Sequence, residues 1–148
     1  MGFGVDRAQP TQLSGQQDYQ TRATNFTIAN DTVGAAAELF TDVSWAADGG
    51  TYVVEVLPGV NWRAGTAGYN VYLSLCKGDG TEVVSMSQMV GGLRAPLALF
   101  RYRYTPTAGT QTLNVRAYKE AGGANGTIEI AAGSGRAVAG LAYIAVFK

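Results

Sequence analysis

The stretch Arg101–Tyr118, "RYRYTPTAGTQTLNVRAY", decides how the chain reads. Its first residues interleave arginine and tyrosine, and Leu99 and Phe100 stand just before them. Successive side chains of a strand leave opposite faces. Phe100, Tyr102 and Tyr104 therefore share one face, and Leu99, Arg101 and Arg103 share the other. A groove for single-stranded nucleic acid needs its aromatics and cations on one exposed face, and this alternation separates them. The aromatic face is expected in a core or a subunit interface. Arg101 and Arg103 are expected to meet solvent, a neighbouring strand or a partner's carboxylates. Thr105 to Gly109, with Pro106 and Gly109, then reads as a turn. "TQTLNVRAYK" begins a second strand, and Arg116 lies near its end.

The same period-two pattern repeats on both sides of this stretch. "NFTIA" (25–29), "ELFTDVSW" (38–45), "TYVVEVLPGV" (51–60), "YNVYLSLC" (69–76) and "TEVVSMSQMV" (81–90) precede it. "GTIEIAA" (126–132) and "LAYIAVF" (141–147) follow. Alternation of apolar and polar residues marks half-buried strands. Asp79-Gly80 and Asn125-Gly126 are two-residue hairpin signals. Asp48-Gly49-Gly50 supplies a further turn. Ala35 to Phe40 is the one helix candidate, and a bend leading into a strand is preferred there. The expected fold is all-β: an antiparallel, jelly-roll-like β-sandwich of about eight or nine strands. It is expected to span residues 25–148. Residues 1–24 are polar and lack sustained periodicity, and are expected to form an extended N-terminal arm.

A chain of 148 residues forms one domain, two at most, and is long enough for a core without staples. Its single Cys76 closes an apolar run and reads as a small buried hydrophobe. The chain has no histidine. That removes Ser-His-Asp and Cys-His catalysis and zinc sites built on His and Cys. Lys plus Arg and Asp plus Glu are 11 each, so the basic excess of a nucleic-acid binder is missing. Few charges and no net charge suit a protein held in an assembly. No apolar run is long enough for a membrane helix. The N-terminus lacks a secretory pattern, and Asp6 breaks the myristoylation pattern.

Other candidate sites read as structural. "GSGRAVAG" (133–140) has neither nucleotide-binding glycine spacing and is expected to be a partner-contacting loop with Arg136 at its centre. The carboxylates are scattered, without the facing pair that a glycosidase needs or a calcium-loop pattern. Asn25, Asn30 and Asn125 head Asn-x-Thr triplets and read as strand and turn chemistry. Trp45, in phase with Leu39 and Val43, is expected in the core. Trp62 follows Pro58-Gly59 and precedes Arg63, and is the candidate for an exposed contact.

Thr105-Pro106, Ala108-Gly109, Arg116-Ala117-Tyr118, Asn125-Gly126 and the final "LAYIAVFK" carry a resemblance. Together with "TYVVEVLPGVN" and "VYLSLCKGDGTEV" they resemble small virion proteins of tailed bacteriophages, β-sandwiches of jelly-roll, TNF/C1q-like character. The resemblance covers about residues 25–148. It implies a non-enzymatic structural role with no cofactor and no metal, and a homotrimer. The implied part is capsid decoration or a minor capsid (cement) protein, on the capsid exterior. The N-terminal arm would dock on the major capsid protein or another virion protein through Phe3, Val5, Leu13 and Tyr19. Arg101, Arg103, Arg116, Arg136 and Trp62 are the candidate interface residues. Neither nucleic acid nor membrane is expected as a partner. The alternative is a tail-tip or tail-fibre module that recognises host surface glycan, with Trp62 and Tyr69 lining a groove.

Overall fold

A computed structural model describes residues 15–63, 69–90, 94–130 and 142–148. These form twelve strands: β1 (Gln16–Arg22), β2 (Phe26–Ile28), β3 (Val43–Ala47), β4 (Tyr52–Leu57), β5 (Asn61–Arg63), β6 (Asn70–Lys77), β7 (Glu82–Val90), β8 (Arg94–Pro96), β9 (Phe100–Tyr104), β10 (Gly109–Lys119), β11 (Gly126–Glu129) and β12 (Ala142–Phe147). Three antiparallel four-stranded sheets result, ordered β1-β12-β4-β9, β3-β10-β6-β7 and β2-β11-β5-β8. Among the described residues there is no helix. The fold is the expected all-β sandwich.

The count exceeds the expected eight or nine because one predicted strand is broken, one short strand was not anticipated and one lies in the expected arm. "TYVVEVLPGV" ends as a strand at Leu57, and Asn61 starts the next. Gly59 between them has φ 148, a backbone region that side chains avoid. Of the stretch around Arg101, Phe100–Tyr104 forms β9, and the short β8, Arg94–Pro96, precedes it where no strand was expected before Pro96. Residues 16–22, read as arm, are β1, which pairs with β12 from Gln16↔Phe147 to Arg22↔Ala142. Residues 1–14 lie outside the described residues.

Alternation places the core. Tyr52, Val54 and Val56 of β4, Val71, Leu73 and Leu75 of β6, and Ile144 and Val146 of β12 are almost wholly buried. Trp45 joins them, with Tyr52 and Tyr104 packed at 5.5 and 6.2 Å between ring centroids. β10 is the spine: its first half pairs with β3 and its second half with β6. The stretch that decided the fold spans two sheets. β9 is an edge of one and β10 is internal to another, so residues 105–108 cross between layers rather than closing a hairpin. Asn125-Gly126 also crosses between sheets, because β11 pairs with β2 and β5. Asp79-Gly80 does close a hairpin, joining β6 to β7 with Gly80 at φ 88.

Candidate interaction surfaces

The outward face of the β1-β12-β4-β9 sheet is unusually apolar. Tyr19, Val53, Leu57, Tyr143 and Phe147 stand on it, each half-buried. The solvent face of an antiparallel sheet is ordinarily polar. Tyr19 and Tyr143 pack at 5.9 Å between ring centroids. At the centre, the Tyr143 hydroxyl donates to Glu55 Oε1 at 2.6 Å and Arg101 Nε donates to Glu55 Oε2 at 2.7 Å. Tyr143's hydrogen bond, followed by the pull of Arg101, holds Glu55 below the usual carboxylate range despite its desolvation. Burial and then the Glu55 bond push the Tyr143 hydroxyl up to about 12. Arg103 stands beside this face, exposed.

The two seams of the sandwich differ. On the β1/β3 side, Asp18 Oδ2 accepts the Ser44 amide at 2.6 Å. Arg22 donates to Thr24 and Leu39 carbonyls at 2.9 and 3.3 Å, and lies 5.0 Å above the Phe26 ring. Polar bonds thus stitch that seam shut. On the β7/β9 side an apolar cavity of about 80 Å³ remains, lined by Pro58, Leu73, Met86, Leu97, Leu99 and Phe100 among others. Leu99, on its rim, is 45% exposed.

The outward face of β3-β10-β6-β7 is polar and aromatic. Tyr72 and Tyr118 stack at 5.0 Å and 20°. Ser74 donates to Glu82 at 2.5 Å, and Asn70 gives Glu120 two hydrogen bonds, from its amide and its side chain. No sequence pattern announced the tyrosine pair. It follows from the Tyr118↔Tyr72 register, which links residues distant in sequence.

The residues predicted to form contacts fall in different places. Arg101 and Arg103 face outward, as alternation required. Arg116 does not: it is 8% exposed and serves its own chain. It donates to Glu38 at 3.2 Å, the Gly34 carbonyl at 2.9 Å and Asn114 at 3.4 Å. Its guanidinium covers Gly80, where an added Cβ would lie 2.8 Å from it. This binds the 33–38 segment onto β10. Trp62 is a core residue at 2% exposure. Its strand pairs on both sides, with Ile128 and Ala95, and the indole turns inward. Tyr69 is 36% exposed and lies against Gly122 and Gly123. Tyr19 belongs to β1. Arg136, Phe3, Val5 and Leu13 lie outside the described residues. Cys76 is fully buried, and burial raises its thiol to about 11.

Carboxylates of the described residues are engaged separately: Glu129 with Arg94, Asp48 with Lys148 and Tyr52, Asp42 with Asn114. The described residues contain no His, Cys, Asp and Glu cluster able to hold a metal ion.

No protein-family model and no curated protein matches the chain. Solved structures resemble it in strand arrangement. The C-terminal domain of EclA, a sugar-binding protein, is 17% identical, with 86% of this chain and 84% of that one covered and a TM-score of 0.42. The C-terminal CBM6 module of LamC, a laminarinase of Zobellia galactanivorans, is 12% identical, with 90% of each chain covered and a TM-score of 0.34. The protein of T=1 particles derived from infectious bursal virus is 15% identical, with 99% of this chain but 35% of that one covered and a TM-score of 0.43.

Proposed function

We propose that the chain is a non-enzymatic structural protein of a bacteriophage virion, a decoration or minor capsid subunit on the outside of the shell. It self-associates, as a trimer, and holds the shell through its N-terminal segment. The observation that carries this reading is the apolar outward face of the β1-β12-β4-β9 sheet. Tyr19, Val53, Leu57, Tyr143 and Phe147 occupy positions that a solitary sandwich gives to polar residues. Glu55 is already satisfied within that face, so covering it strands no carboxylate. The absence of net charge and the phage-like turn pattern of residues 105–148 agree. Sedimentation over a range of concentrations tests self-association, and Val53→Asp is expected to abolish it. Immuno-electron microscopy of the particle tests the place: label on the tail alone would refute the decoration role.

A second reading is a tail-tip module that binds glycan. The stacked Tyr72–Tyr118 pair on a polar face favours it, since aromatic rings offer an apolar surface beside hydrogen-bonding groups. Trp62, buried, cannot serve it. Glycan-array binding that disappears in Tyr118→Ala would support this reading, and an array without signal would remove it.

A further inference from the structure

The β7/β9 seam has the features of an acceptor for a strand. β7 is an edge of nine residues, Glu82–Val90. Beyond Glu82 it carries no charge and no proline, the devices that ordinarily guard an edge. Shifts in its register against β6 twist it, and among the described residues its outer backbone groups have no strand partner. Beside it lies the apolar cavity with Met86, Leu97, Leu99 and Phe100.

We propose that residues 2–6 of a neighbouring copy, "GFGVD", add to β7 as a further strand and place Phe3 and Val5 over this cavity. The inference rests on the self-association reading, adds to the apolar sheet face a second contact, and gives residues 2–6 a neighbouring copy rather than the shell as partner. Extended, the segment puts Phe3 and Val5 on one face and Gly2, Gly4 and Asp6 on the other, an apolar and a solvent side as in strand addition to an edge. Asp6 then lies on the side away from the cavity, in solvent, so the addition buries no charge. Gly15 stands about 12 residues from Phe3, a reach of about 40 Å. The reach would also cross one sheet, about 15 Å over three strand spacings; the donor is a neighbour because β1 starts on the edge opposite β9 and at the end away from the cavity. Gln16 is level with Phe147, Val53 and Arg103, whereas the cavity lies at Phe100, the far end of β9. The start of β1 therefore points away from the cavity of its own copy.

Disulfide trapping tests this. Phe3→Cys and Ser87→Cys chains are prepared separately, mixed and oxidised; the native Cys76 is buried. A mixed disulfide dimer is expected to form at least about tenfold faster than with Ser44→Cys on the opposite seam, because docking raises the local concentration. Equal rates overturn the proposal. So does a chain carrying both cysteines that closes only on itself. Phe3→Asp with Val5→Asp is expected to reduce assembly at unchanged melting temperature, and unaltered assembly also counts against the contact. A native chain that sediments as one copy at every concentration refutes the self-association reading itself. A native chain that assembles without the mixed disulfide refutes only the strand addition.

Discussion

Three side chains show how burial decides chemistry one residue at a time. The Cys76 thiol lies at 0% exposure with its pKa raised to about 11. A buried thiol that resists ionisation is a poor nucleophile. Native protein at pH 8 is expected not to react with a thiol reagent, whereas protein in denaturant reacts fully; mass spectrometry reads the difference. Trp45 has an indole N–H with no partner among the described residues. Trp45→Phe removes that unmet donor along with some volume. Its expected cost is about 1–2 kcal/mol in urea unfolding, below the 3–5 kcal/mol typical of truncating tryptophan to alanine. The Glu55–Tyr143 bond needs an ionised carboxylate and a protonated phenol. Glu55 is depressed in the fold, so its contribution is present above about pH 4.3 and fades as pH falls through its folded value. Tyr143 is raised to about 12, so its contribution is whole below about pH 10 and fades between there and 12. Stability against pH is thus expected to decline at both ends, and Tyr143→Phe should flatten both limbs.

At the scale of elements, the period of two located the strands and their inward faces. Val71, Leu73 and Leu75 of β6 are buried as alternation required, and Tyr102 and Tyr104 turn toward the core while Arg101 and Arg103 turn out. Alternation was silent where partners come from afar. Arg116 sits in phase with the solvent side of β10, yet the 33–38 segment folds over it. Trp62 looked like a loop residue because Pro58-Gly59 punctuates the chain before it, but β5 resumes at Asn61 between two neighbours. The edge seams and the tyrosine stack are products of sheet order, which local pattern does not encode. Two substitutions test these elements. Arg116→Ala is expected to cost about 2–3 kcal/mol by freeing the segment it binds and leaving Asn114 and Glu38 short of a partner. Gly59→Ala puts a Cβ 2.8 Å from Ile128 at a backbone angle that side chains avoid. A loss of about 1–3 kcal/mol is expected, read as a lowered melting temperature.

The molecule as a whole is asymmetric. One seam is stitched by Asp18 and Arg22, and the other is open and apolar. One outer face is aliphatic and aromatic, and the other is polar. Differences of this kind between surfaces of one sandwich are what a subunit uses to meet unlike neighbours.

The order β1-β12-β4-β9 also bears on synthesis. β12, last of the twelve in sequence, lies between β1, the first, and β4. A nascent chain can therefore pair β4 with β9 but cannot seat β1, whose partner is β12, until β12 has left the ribosome. Until then the Val54 and Val56 row of β4 has β9 alone beside it, and that open side must be shielded or covered quickly once β12 emerges.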